Sequence, residues 1–310
     1  MPSSCCFWLS SLQEATTKWE AIIEKDVPRT FPKHKLFAKA DSVGCVELRR
    51  VLKATALHVP EVGYVQGMNF IAGYFLAETR DELVSFLLLV RMLRGKEYGM
   101  HDIFSEEEGL SKLWIAVYQV QHCLRLNDPA LALHFEKIKV NYLAWLPQWI
   151  LTIFTKHVQP PHMNALVEAF LKDGWPSLIR TCVAVLMTHR DKILTLSFDE
   201  MLPYLNGIAG IRDKDQKDIW HAIDLAAVGK MLDQVELPDL DKLEGEMSGK
   251  SREERNVMIQ ELAIQDSKGL KEKVTQTKDN KSKAYSVFAG LAAAALIGGV
   301  VASTILKARR

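Results

Sequence analysis

Apolar residues recur along most of this chain at the three- and four-residue steps of a helix. Trp8, Leu12, Ala15, Trp19, Ile22 and Ile23 are expected on one helical face, and Leu48, Val51, Leu52 and Thr55 repeat the period until "HVPEVG" interrupts it. In "TRDELVSFLLLVRML", Thr79 and Glu82 have capping-box spacing, and Asp81 and Glu82 suit the positive end of a helix dipole, so a helix is predicted to start there. The apolar runs "LPQWILTIFTKHV" and "MNALVEAFL" are too long for strands and are separated by the turn signal "QPPH"; "PSLIRTCVAVLMTHRDKIL" predicts a further buried helix after Pro176. No stretch alternates strictly every second residue toward an Asn-Gly or Asp-Gly turn. The body, residues 1–232, is therefore predicted to be an all-α, multi-helix domain.

The pattern changes after residue 232. Residues 233–283 are charge-rich and lack aromatics, which predicts a linker with one short amphipathic helix around 252–266. Residues 284–306, "AYSVFAGLAAAALIGGVVASTIL", are 23 consecutive uncharged positions, bracketed by Lys281 and Lys283 on one side and Lys307, Arg309 and Arg310 on the other. As a helix this stretch is roughly 34 Å long, enough for the hydrocarbon core of a bilayer. With four residues beyond it, the segment is expected to insert after synthesis, as a tail anchor with the helical body facing the cytosol. Basic flanks on both sides fit the endoplasmic reticulum, the peroxisome or the mitochondrial outer membrane. Ser286, Gly290, Ala294, Gly298 and Ala302 form a four-residue stripe of small side chains through which two such helices can approach as a homodimer.

Composition narrows the chemistry. With 39 lysines and arginines against 38 aspartates and glutamates in 310 residues, the chain has no global field to attract nucleic acid, and any electrostatic function is local. The five cysteines at 5, 6, 45, 123 and 182 show neither metal-ligand nor C-x-x-C spacing, which predicts a reducing compartment. Cys5 and Cys6 are candidates for acylation, although "MPSSCC" lacks a myristoylation pattern, and no secretory leader is expected from the first residues. "GEMSGKS" (245–251) is one residue short of a phosphate loop, and "DKDQKD" (213–218) lacks the glycine and distal glutamate of a calcium loop. His157 and His162 flank two prolines without further ligands nearby, and G-x-S-x-G and H-E-x-x-H are both missing.

Two short stretches remain, "IEKDVPRT" (23–30) and "GYVQGMNF" (63–70). The first sets Arg29 between Pro28 and Pro32, where a helix cannot continue and the flanking φ angles are restricted. Taken singly, an arginine three residues after an aspartate reads as a surface ion pair, and a glutamine between glycines as a turn.

In this order within a helical domain, the two stretches resemble the TBC-domain Rab GTPase-activating proteins. Ile23, Asp26 and Arg29 match the family's I-x-x-D-x-x-R motif, and Tyr64 and Gln66 match its Y-x-Q motif. The likeness extends through "GMNFIAGYFL", "WLPQWILTIF" and "FLKDGWPSLIRTCVAVL", covering roughly residues 20–208. An R-x-x-W element that usually precedes the first motif is not found, and Val167 and Glu168 stand where the family often has W-D.

The resemblance implies a GTPase activator acting in trans on a GTP-bound Rab protein at a membrane surface, in membrane traffic. Arg29 would supply an arginine finger to the charge developing between the β- and γ-phosphates, and Gln66 would orient the attacking water. Asp26 would hold the Arg29 guanidinium, Tyr64 would buttress the turn, and Gly63 and Gly67 would let the backbone approach the partner. No cofactor of its own is implied, since GTP and Mg²⁺ belong to the partner. The alternative is a membrane-anchored scaffold that binds a GTPase without accelerating it.

Overall fold

The computed structural model describes residues 18–105, 109–156, 163–207 and 225–259, and among them every regular element is helical. They lie within one compact unit, Met1–Ile259. The expected anchor at 284–306, with its small-residue stripe, lies outside the described residues, as do Cys5, Cys6, His157, His162 and residues 213–218. Among the described residues no helix is long and apolar enough to cross a membrane.

Three helices build the first half: α1 (Val43–His58), α2 (Met68–Thr79) and α3 (Glu82–Arg94), each packed on the other two. Leu48, Val51, Leu52 and Thr55 are all buried on α1, as their spacing predicts. Ser42 caps this helix by accepting from the Cys45 amide at 3.4 Å. Helix α2 is apolar nearly all round and is buried from Met68 to Ala77, so it is the central element of this half.

The second half surrounds α4 (Gly109–Asn127), which packs on the helices Pro129–Lys137 and Trp175–Thr188. The short helix Met100–Phe104 contacts both α3 and α4 and so joins the halves. Close backbone contact completes the joint, because a Cβ on Gly174, at φ 67°, would lie 2.3 Å from the Glu97 carbonyl oxygen. Only glycine fits there.

Several local expectations are corrected. Asp81, not Thr79, caps α3: its carboxylate accepts from the Val84 amide at 2.9 Å, while the Thr79 hydroxyl turns back to the Phe75 carbonyl. Ile23 is buried but Ile22 is 46% exposed, so the two do not share the inner face of the helix Glu20–Asp26. The run "LPQWILTIFTKHV" does not form one helix. Its helix stops at Leu151, and Ile153 and Phe154 adopt left-handed backbone at φ 42° and 64°. Such conformations are costly for a β-branched residue. An aromatic stack holds them: Trp145 meets Trp149 at 4.8 Å, Trp149 meets Phe154 at 5.1 Å, and all three rings are buried. At the variant W-D position, Val167 is buried and Glu168 exposed, so the smaller side chain still faces the core.

The linker expected from residue 233 is packed, as far as Ile259, against the domain. A helix over Leu240–Met247, capped by Asp239, lies on α4 with Leu243 and Met247 buried. Its charges bind rather than solvate: Lys112 reaches Glu244 at 2.6 Å, the Tyr118 hydroxyl donates to Glu246 at 2.9 Å, and the Gln119 amide donates to the Leu240 carbonyl. Burial and this bond to Glu246 push the Tyr118 phenol up to about 12. Asn127 exchanges two hydrogen bonds with the backbone of Glu236, and residues 252–259 are helical with Ile259 buried. Met247→Ala is expected to cost about 2–5 kcal/mol in urea unfolding. Likewise, a chain ended at 232 should melt well below one ended at 259; equal midpoints would show that this packing adds no stability.

Candidate functional site

The helix Glu20–Asp26 carries Ile23 and Asp26 inward on its last turn, and the chain then tightens into a 3₁₀ turn, Val27–Arg29, with Pro28 inside it. Pro28 suits this turn because its φ is already near the helical value, and having no amide hydrogen it ends the helical ladder at the bond from the Val27 amide to the Ile23 carbonyl. The turn ends at Thr30 in extended backbone, and Phe31, just before Pro32, is left-handed at φ 45°. Phe31 persists in that conformation because its ring is buried between Phe37 and Phe70, at 6.1 and 5.7 Å. The loop bearing Arg29 is thus fixed at both ends.

Asp26 joins the two motifs. Its Oδ1 lies 2.5 Å from the Arg29 guanidinium, and its Oδ2 accepts the Tyr64 hydroxyl at 2.6 Å. The Asp26 side chain is 3% exposed and that of Arg29 is 47% exposed, so the carboxylate is sealed inside while the guanidinium presents its other donors to solvent. Burial, then the bond to Asp26, raise the Tyr64 phenol far above the ordinary tyrosine range. Tyr64 therefore stays a neutral donor at any physiological pH.

A second tie lies alongside. Asn69 donates to the Thr30 hydroxyl at 2.8 Å, and Thr30 donates to the Asp26 carbonyl at 2.9 Å. The Asn69 carbonyl oxygen also accepts from the Gly67 amide at 3.1 Å, bracing the turn that ends in α2. Asp26, Thr30 and Asn69 are all buried. Gln66 stands exposed on the turn between Tyr64 and Asn69, and no bond joins it to Arg29. Its turn is anchored to the arginine loop on both sides, by Tyr64 and by Asn69.

The two glycines answer a demand within the fold. Gly63 (φ 68°) faces inward, and a Cβ there would lie 2.2 Å from the Trp19 ring; on Gly67 (φ 119°) it would lie 3.0 Å from the Leu151 carbonyl oxygen. They allow close internal packing behind the site. Three contributors were not singled out from sequence. Thr30 and Asn69 stand within the quoted motif stretches, and their small polar side chains were the available signal. Lys156 had none.

Lys156 is half-buried, with its ammonium 2.8 Å from the Gln148 amide oxygen and over the Phe70 ring at 5.9 Å. Burial first, and then the neighbouring Arg29 guanidinium, draw it below the ordinary lysine range. Among the described residues, no cluster of His, Cys, Asp or Glu is placed to hold a metal ion.

The chain belongs to the Rab-GTPase-TBC domain family, whose model matches residues 9–194. It is 28% identical over 210 residues to the human Ecotropic viral integration site 5 protein homolog, covering 66% of this chain and 25% of that protein. It is 29% identical over 185 residues to the Caenorhabditis elegans Rab GTPase-activating protein tbc-11, covering 60% of this chain and 19% of that one. The chain thus spans a quarter or less of these curated relatives. Among solved structures, the Ypt/Rab-GAP domain of Gyp1p has the same fold at a TM-score of 0.57 and 17% identity, with 74% of this chain and 77% of that one covered. The Chlamydomonas flagellar RabGAP TBC domain matches at 0.54 and 23%, covering 79% and 71%.

Removing the phenol hydroxyl leaves one oxygen of a buried carboxylate without its donor. Tyr64→Phe is therefore expected to cost about 1–3 kcal/mol of stability in urea unfolding. A change below about 0.5 kcal/mol would show that the Asp26–Tyr64 bond contributes little.

Proposed function

We propose that this chain accelerates GTP hydrolysis by a Rab-family GTPase, with Arg29 and Gln66 entering the partner's nucleotide site. The observation that carries this reading is the buried Asp26 carboxylate, which binds the arginine of the first motif and the tyrosine of the second at once. A surface ion pair does not need a sealed carboxylate with a second donor from 38 residues away.

Arginine suits the role because it is always protonated and its planar fork matches phosphate oxygens. In the free protein one edge of the guanidinium is held by Asp26, which limits the rotamers it must give up on docking. Its solvent-facing donors then meet the charge that develops between the β- and γ-phosphates. Gln66 offers an acceptor and a donor on one amide, enough to hold the attacking water while bonding the partner's backbone. No nucleotide or metal need be bound by this chain, because both arrive with the GTPase.

Single-turnover hydrolysis by a panel of GTP-loaded Rab proteins tests the reading. Arg29→Ala is expected to lower the acceleration about 10³–10⁵-fold, and Arg29→Lys to recover little of it because the ammonium lacks the fork. Gln66→Ala should cost about 10²-fold. Retained acceleration in both alanine variants contradicts the assignment, and tight binding of GTP-loaded partner without acceleration identifies a scaffold instead.

The apolar stretch 284–306 would place this activity on a cytosol-facing membrane, where tethering raises the effective concentration of a membrane-bound GTPase. A fluorescent fusion of residues 268–310 should label a membrane; a diffuse signal would remove the anchor.

A further inference from the structure

The strained turn after Leu151 delivers one charged side chain to the Phe70 ring, which packs against the arginine loop. Ile153 and Phe154 are left-handed, Thr155 is fully buried with its hydroxyl on the Thr152 carbonyl at 2.6 Å, and Lys156 follows. The ammonium is held by Gln148 and lies over Phe70, whose ring packs on Phe31, two residues beyond Arg29. Among the described residues no carboxylate pairs with Lys156. Burial and the neighbouring Arg29 guanidinium both disfavour this ammonium, and a neutral amide and an aromatic ring offset that only in part in the free protein. An incoming anion reverses that balance, since both cations then attract it in a region already partly shielded from water.

We propose that Lys156 forms, with Arg29, a two-cation receptor for an anionic oxygen group brought by the GTP-loaded partner. This rests on the GTPase-activating reading given above. Phosphate and carboxylate share the required chemistry: the group is either an oxygen of the nucleotide or an acidic side chain of the GTPase. The Gln148 bond and the turn at Ile153 and Phe154 fix the ammonium in place, so a lysine suffices where Arg29 needs a fork.

The test uses the full chain with Lys156→Gln, Lys156→Arg and Arg29→Ala, in single-turnover hydrolysis and in titration with inorganic pyrophosphate. Lys156→Gln is expected to lower catalytic efficiency about tenfold with an unchanged melting temperature, and Lys156→Arg to retain most of it. A loss in the maximal rate assigns the anion to the nucleotide, and a loss in half-saturation alone assigns it to a GTPase carboxylate. Unaltered kinetics in Lys156→Gln, alongside loss in Arg29→Ala, overturns the receptor and leaves the GTPase-activating reading standing. If the wild-type chain accelerates no GTPase, that reading falls and the titration decides alone. Saturable pyrophosphate binding that is lost in Lys156→Gln and in Arg29→Ala then upholds the two-cation receptor, and equal or no binding by all three proteins overturns it.

Discussion

The site depends on one buried carboxylate. Asp26 accepts from Arg29 on one oxygen and from Tyr64 on the other, at 2.5 and 2.6 Å, and so makes one device of two loops far apart in sequence. A charge this deeply buried is tolerable only with a cation and a hydrogen-bond donor on it, and each partner is thereby obliged to stay. Arg29 is oriented without being buried. The surroundings serve the same end: Thr30 and Asn69 make a parallel tie, Gly63 admits Trp19 behind the turn, and Phe31 accepts a left-handed backbone so that its ring can lock the far side of the loop. Strain at a site of this kind is sustained by well-packed surroundings.

Much of this was legible in the sequence. The helical period of α1 placed Leu48, Val51, Leu52 and Thr55 in the core, where they lie. The two motifs named Asp26, Arg29, Tyr64 and Gln66, and the structure brings the first three into direct contact and puts Gln66 on the adjoining turn. The prolines around Arg29 announced a stiff loop. The sequence did not reveal that Gly63 and Gly67 face inward, because a glycine's need for space does not say which neighbour takes it.

The remaining differences have physical causes too. "WILTIFTKHV" has helical apolar spacing and no glycine, so nothing local marks the left-handed turn at Ile153 and Phe154; the aromatic stack with Trp145 and Trp149 overrides local preference there. Lys156 owes its position to that turn and was illegible for the same reason. Residues 233–259 looked like a linker because charge dominates them. Yet Leu240, Leu243 and Met247 stand three and four residues apart, and Glu244 and Glu246 bind Lys112 and Tyr118. Charge density misleads when the charges have partners in the fold.

The central claim is that Asp26 acts through Arg29, and a double-mutant cycle on accelerated GTP hydrolysis measures that coupling. Asp26→Asn, in single-turnover assays with a responsive Rab protein, should slow hydrolysis substantially when Arg29 is present and have almost no further effect in the Arg29→Ala background. An equal loss in both backgrounds would contradict the account, because Asp26 would then be supporting the fold or the partner contact without holding the arginine.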